Sequence, residues 1–214
     1  MVSFERLAAG LEKRNHLSHP YIIRGQSNKA FYPPFPLKDW EILEMYSELG
    51  ELITPGMLAL DLGSARGKLI TALSIVGATA KGIDASQFLV NSSNAIAKQM
   101  ALEGFIEPNS CIAHTGNYFP SDFKTSDDVK WDNWTEGERV LTSNPYFQMG
   151  LSLADFDLAT VYQYEKNTPE TLRLLSERCR RNTMVIVWSN RLNEIPTNFT
   201  LLRDAGKLKA FKID

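Results

Sequence analysis

Met57-Leu58-Ala59-Leu60-Asp61-Leu62-Gly63-Ser64-Ala65-Arg66-Gly67-Lys68 decides the fold. An apolar run ends in an acid, Gly63 and Gly67 follow, and an apolar helical stretch opens at Lys68. This is a strand feeding a tight turn and a helix, the arrangement that holds a nucleotide-like ligand at the carboxyl end of a parallel sheet. Gly63 can take the turn without a Cβ clash, and Gly67 lets the helix start lie close to a ligand. Asp61 carries the most information. A dinucleotide fold keeps that place apolar and spaces its glycines G-x-G-x-x-G to seat a pyrophosphate. A carboxylate there repels phosphate and can hold an ammonium.

Outward from this stretch, strand and helix signals alternate. Lys68–Val76 predicts the first helix after the turn, and Ala80–Asp84 a short strand ending in a second acid, Asp84, followed by Ala85. An acid there suits a ribose diol, because one carboxylate accepts from both hydroxyls. Gln87–Glu103 predicts a helix from Phe88, Val90, Ala95, Ile96, Met100 and Leu102, with Gly104 as its cap. Ser110–His114 reads as the third strand; Asn117 follows it, with a side-chain carbonyl able to accept from an amino group. Asp155–Tyr164 reads as the fourth strand, and Thr168-Pro169 starts a helix that runs through Arg181. Met184–Trp188 is an apolar fifth strand. The remaining chain accommodates a hairpin, Asn198–Arg203 with Lys207–Ile213, as strands six and seven. The fold class expected is α/β: a doubly wound, Rossmann-like seven-strand sheet with helices on both faces and an antiparallel C-terminal hairpin.

Two segments stand outside this core. Residues 1–36 hold an amphipathic helix at Ser3–Lys13, then a loop with Tyr21, Tyr32 and the run Pro33-Pro34-Phe35-Pro36 that could close over a cofactor. His16 and His19 lie in that loop without acidic or cysteine partners and read as bland. The domain proper is residues 37–214, opening with an amphipathic helix at Leu37–Leu49 and interrupted by an insertion at Ser121–Leu153. The insertion fits no standard element and carries Asp122, Asp127, Asp128, Asp132, Trp131, Trp134, Tyr146 and Phe147. An acidic, aromatic cover of this kind prefers a cationic or amine-bearing acceptor.

Composition narrows the classes. The 214 residues carry 23 Lys plus Arg against 25 Asp plus Glu, a net charge of −2 with no push towards nucleic acid. Cys111 and Cys179 are too few for a disulfide scaffold or a thiolate metal site, so no metal is expected. No apolar run approaches the roughly 18 residues of a membrane span. Charges stand in Met1–Asn15 where a signal peptide needs an apolar core, so a cytoplasmic protein is expected.

The motif Asp61-x-Gly63-x-x-x-Gly67, with Asp84 beyond it, resembles the first motif of class I S-adenosylmethionine (SAM) methyltransferases. The element order from Leu37 to Asp214 is similar to theirs. Within the class the chain looks most like the small single-domain branch related to protein lysine methyltransferases. That branch shares an aromatic-proline segment, a DLGSGxGK-like turn, a fourth strand running into V-x-Y-x, and a very short tail. The resemblance implies SAM as cofactor and S-adenosylhomocysteine (SAH) as product. It implies a cofactor site of Asp61, Gly63, Ser64, Ala65, Gly67, Asp84, Ala85 and Asn117, with Asp61 near the methionine ammonium. Tyr162, Gln163, Tyr164 and Glu165, at the tip of the fourth strand, are placed to assist a lysine or small-molecule acceptor; Tyr162, Tyr164 and Glu165 are the expected catalytic residues. Two positions depart from the pattern: Ala65 stands where a second glycine is usual, and Asn117 where aspartate is frequent. Ser143-Asn144-Pro145-Tyr146-Phe147 resembles the Asn/Asp-Pro-Pro-Tyr motif of amino-group methyltransferases but lacks a proline and lies ahead of the fourth strand. A nucleic-acid methyltransferase using that segment, a nicotinamide-dependent oxidoreductase, and a non-catalytic SAM-binding scaffold are the competing readings.

Overall fold

The computed structural model describes residues 2–26, 37–125, 144–162, 168–189, 192 and 194–214, with the backbone alone at 19–26. The elements run α1 (Phe4–Gln26), α2 (Asp39–Leu49), β1 (Leu58–Leu62), α3 (Lys68–Ile75), β2 (Thr79–Asp84), α4 (Gln87–Leu102), β3 (Cys111–Thr115), α5 (Pro145–Met149), β4 (Leu158–Tyr162), α6 (Thr168–Arg178), β5 (Met184–Trp188), β6 (Phe199–Ala205) and β7 (Leu208–Ile213). One seven-stranded sheet has the order β3-β2-β1-β4-β5-β7-β6. Strands β1 to β5 are mutually parallel, while β7 runs antiparallel to both β5 and β6. The link from Trp188 to Phe199 is too short for a parallel crossover and shows no helix among its described residues, which leaves β6 and β7 as an antiparallel hairpin.

Alternation along the strands sorts the core into two layers. On one face Ala59, Ala80, Ala113, Leu158 and Met184 pack with Leu7, Leu11, Ile42, Met45, Leu73, Ile96 and Met100 from α1 to α4. On the other, Leu60, Leu62, Ile83, Val185 and Val187 pack with Tyr146 of α5 and Leu172 and Leu175 of α6. Asp61 sits between Leu60 and Leu62, so it faces the α1–α4 side with Ala59. Strand order reverses between β2-β1 and β1-β4, which opens a crevice at the carboxyl end of β1.

Three expectations change. The N-terminal helix is not confined to Ser3–Lys13 but runs to Gln26, so His16, His19 and Tyr21 are helical rather than in a loop. Its buried face continues past Lys13 through Arg14 and Ser18, polar residues that an apolar-period reading passes over. The insertion is not wholly irregular: Asn144 caps α5, and Leu153–Asp155 forms a 3-10 turn. Leu102, counted among the apolar positions of α4, is 73% exposed, and Leu89, Ser93 and Ala97 join the buried face instead. Residues 27–36 and 126–143, including Tyr32, the proline run, Asp127, Asp128, Trp131, Asp132 and Trp134, lie outside the described residues. Among the described residues no helix is long and apolar enough to cross a membrane.

Candidate cofactor site

The turn after β1 is held from three sides. The Gly63 and Ser64 amides both donate to the Ile83 carbonyl at 2.9 Å, fastening the turn to β2. Asp84 braces it further: Oδ2 accepts from the Ala65 amide at 2.8 Å and Oδ1 from the Ser86 amide at 2.9 Å. At the far end the Gly67 carbonyl accepts from the Thr71 amide and hydroxyl, at 3.0 and 2.7 Å, starting α3. Gly67 has φ +69°, and a Cβ there would lie 1.9 Å from Ser93 Oγ. Gly82 on β2 is equally constrained, since its Cβ would meet Ser64 Oγ at 2.5 Å. The sequence reading missed Gly82, although a glycine inside a strand is a known sign of close backbone approach.

Ala65 adopts φ +47°, the left-handed region where a side chain costs about 1–2 kcal/mol. Ala65 thus takes a backbone conformation that favours glycine. Ala65→Gly is expected to relieve this strain, offset in part by the greater freedom of glycine in the unfolded chain. The expected net gain is roughly 0.5–1 kcal/mol, read as a rise in midpoint by thermal denaturation with SAH affinity retained.

Asp61 is the electrostatic centre. It is 4% exposed, and its Oδ1 accepts from the Thr160 hydroxyl on β4 at 2.7 Å. Among the described residues no cation pairs with it. Burial, against the counteracting Thr160 bond and with Asp84 adding repulsion, lifts its pKa from the ordinary 3.8 to about 7. Thr160 Oγ1 also lies 3.3 Å from the Leu60 carbonyl, so it can serve either form of the acid. It donates to an ionised Asp61, or accepts from a neutral one while donating to Leu60. A buried carboxylate that lacks a cation is the complement of a ligand ammonium. Four buried side-chain polar atoms lack partners among the described residues: Arg14 Nε, Ser64 Oγ, Arg66 Nε and Ser93 Oγ. Ser64 and Arg66 belong to the turn, Ser93 abuts Gly67, and Arg14 donates to the Arg66 carbonyl. Unpartnered polarity is thus concentrated where a polar ligand would supply partners. These features fit a cofactor that carries an ammonium and further polar groups.

Tyr162 closes β4 beside Trp188 of β5, with ring centroids 5.9 Å apart and edge-on. Below them Leu37, Ile42, Met45, Leu69 and Ile186 line an apolar cavity of about 10 Å³ that shares Thr160 with the Asp61 site. That volume is at the threshold for one water-sized guest. Gln163, Tyr164 and Glu165 lie outside the described residues. Asn117 Oδ1 accepts from the Phe119 amide at 2.9 Å, forming a turn of its own. Asn144 Oδ1 accepts from the Tyr146 and Phe147 amides as the cap of α5, and Tyr146 buries its ring and donates to the Tyr118 carbonyl. The Asn-Pro-Tyr segment therefore serves as a helix start ahead of β4 in the chain. Phe147, by contrast, is 87% exposed.

No protein family and no curated protein matches the chain by sequence. Solved structures do match by shape. An RNA methyltransferase from Salinibacter ruber in complex with SAH is similar with a TM-score of 0.54 and 14% identity, over 83% of this chain and 92% of that one. MtNAS in complex with MTA and tNA gives 0.53 and 14%, over 97% and 70%. The ribosomal protein L11 methylase from Lactobacillus delbrueckii subsp. bulgaricus gives 0.50 and 15%, over 83% and 79%. At such identities the likeness establishes the architecture: this chain has the Rossmann-like, seven-strand fold found in class I methyltransferases.

Proposed function

We propose that the chain is a SAM-dependent methyltransferase acting on an amine, with a protein lysine favoured and a small-molecule amine next. The observation that carries this reading is the buried Asp61 at the carboxyl end of β1, beside the glycine turn, with no cation paired to it among the described residues. Asp61 would hold the ammonium of the cofactor's methionine. Asp84 and Ala85 would face the ribose, Gly63 to Gly67 would line the methionine side, and Asn117 would meet the adenine. When bound, the cofactor supplies a methyl group on an electrophilic sulfonium, so the protein's part is chiefly alignment.

The acceptor side is assigned to the tip of β4. Burial, and secondarily Glu41, push the Tyr162 phenol above its ordinary value of 10, so it stays neutral at working pH. A neutral phenol orients an amine by accepting a hydrogen bond and cannot remove its proton. Removal of that proton is assigned to Glu165, and Tyr164 completes the proposed catalytic set. Tyr162→Phe is expected to lower methyl transfer about tenfold with SAH affinity unchanged within about twofold, since one orienting bond is lost and the cofactor side is intact.

The acceptor class is tested by supplying methyl-labelled SAM with lysine-bearing peptides, small amines and RNA in parallel. Label in the amines is the expected result. Label in RNA alone would transfer the reading to the nucleic-acid class, against which stands the engagement of Asn144 Oδ1 by two backbone amides.

A further inference from the structure

We propose that Arg14 of α1 is a positioning residue for the cofactor turn. The inference rests on the reading of that turn as a SAM site, and it assigns a role to a helix outside the sheet.

Arg14 is the largest fully buried side chain among the described residues, 2% exposed, and its Nη2 donates to the Arg66 carbonyl across 52 residues of chain. The peptide it grips joins Arg66 to Gly67, whose φ of +69° ends the turn. Fixing that carbonyl fixes the direction of the peptide plane, and with it where the Gly67 amide points, which donates to the Ser64 carbonyl at 2.7 Å. A second contact holds the other side of Gly67. Asp39, in the first turn of α2, accepts from Lys68 Nζ at 2.8 Å and from Asn15 Nδ2 at 2.5 Å. The adjacent residues Arg14 and Asn15 thus reach Arg66 directly and Lys68 through Asp39, one on each side of Gly67.

Desolvation is the argument that this is more than packing. A buried guanidinium with an unpartnered Nε is a poor way to fill a core, and an apolar side chain of like volume fills it better. Burial lowers the Arg14 pKa to about 10, against the pull of Cys111 and Asp39, so the cation persists at neutral pH. A charged donor at the turn also favours a fixed carbonyl more strongly than a neutral one would. Gly10, one turn earlier in α1, lets the helix lie against Ile75 of α3, since a Cβ there would meet Ile75 Cδ1 at 2.6 Å. The close approach brings Arg14 within reach of the turn.

The test compares Arg14→Met with Leu11→Ala, a cavity-forming change on the same helix that leaves the turn untouched. SAH affinity is measured by calorimetry, and amide exchange at residues 63–67 is measured in the ligand-free proteins. Arg14→Met is expected to lose at least tenfold in SAH affinity and to exchange faster at the Ser64 and Gly67 amides. Leu11→Ala is expected to stay within twofold of the parent on both. If Arg14→Met does not fold, Arg14→Lys carries the test, with a loss of three- to tenfold expected because the shorter cation reaches the carbonyl less well. Affinity within twofold of the parent in the folded arginine variant overturns the proposal, and so does an equal loss in Leu11→Ala. Absence of SAH binding by the parent protein would instead refute the cofactor assignment.

Discussion

Asp61→Asn is expected to stabilise the ligand-free protein above pH 7 while weakening SAH binding ten- to a hundredfold. The two effects have one cause. In the folded protein Asp61 keeps its proton up to about pH 7, whereas in the unfolded chain it loses it near 3.8. Between those values the folded state binds more protons than the unfolded one. Its contribution to stability is therefore complete below pH 3.8 and is lost as pH rises to about 7. The interval corresponds to about 4 kcal/mol as an upper bound, which asparagine avoids because it never ionises. The gain from asparagine should therefore grow from pH 4 to 7 and level off above, as read by urea denaturation across that range.

Binding runs the opposite way. The ammonium of SAH requires the ionised acid, so the parent protein should lose about tenfold in affinity per pH unit below 7. The asparagine variant should show no such slope. Removal of the charge-assisted contact is worth about 1.5–3 kcal/mol, the source of the ten- to hundredfold figure. A pH-independent affinity in the parent protein would mean that Asp61 does not contact the ligand's charge.

Gly67→Ala should remove measurable SAH binding and lower stability by about 2–5 kcal/mol, the sum of left-handed backbone strain and steric overlap. The overlap is specific, since the new Cβ would sit 1.9 Å from Ser93 Oγ but 3.0 Å from Ser93 Cβ. Adding Ser93→Ala should therefore recover part of the stability, because the hydroxyl is the nearest obstacle, and leave the strain at φ +69°. Thermal denaturation of the single and double variants checks this. A double variant no more stable than Gly67→Ala alone would place the obstacle elsewhere.

The sheet was legible because β1, β4 and β5 are short, largely apolar runs, because strand and helix signals alternate between them, and because Asp61-x-Gly63 has few other uses. The hairpin was legible from Asp204-Ala205-Gly206, turn residues between two short strand-like runs. The extent of α1 was not, since among the described side chains its buried positions past Lys13 are Arg14 and Ser18, which count as polar in any periodicity. The short α5 escaped for a related reason: with five residues it is too short to show a period, and Asn144 and Pro145 are turn residues as readily as a helix start. In the site, the acids and glycines could be named from spacing, but their partners could not. Thr160 is separated from Asp61 by 99 residues and Ser93 lies on another helix, and neither carries a local signal. Asp84 held a further surprise, as its carboxylate braces the turn through the Ala65 and Ser86 amides.

We propose Asp61 and the glycine turn as a site for SAM and not for a dinucleotide. Calorimetric titration of the purified protein at pH 8 with SAH and, separately, with NAD tests it most directly. Saturable heat with SAH and none with NAD is the predicted result; binding of NAD, or no binding of SAH, would contradict it.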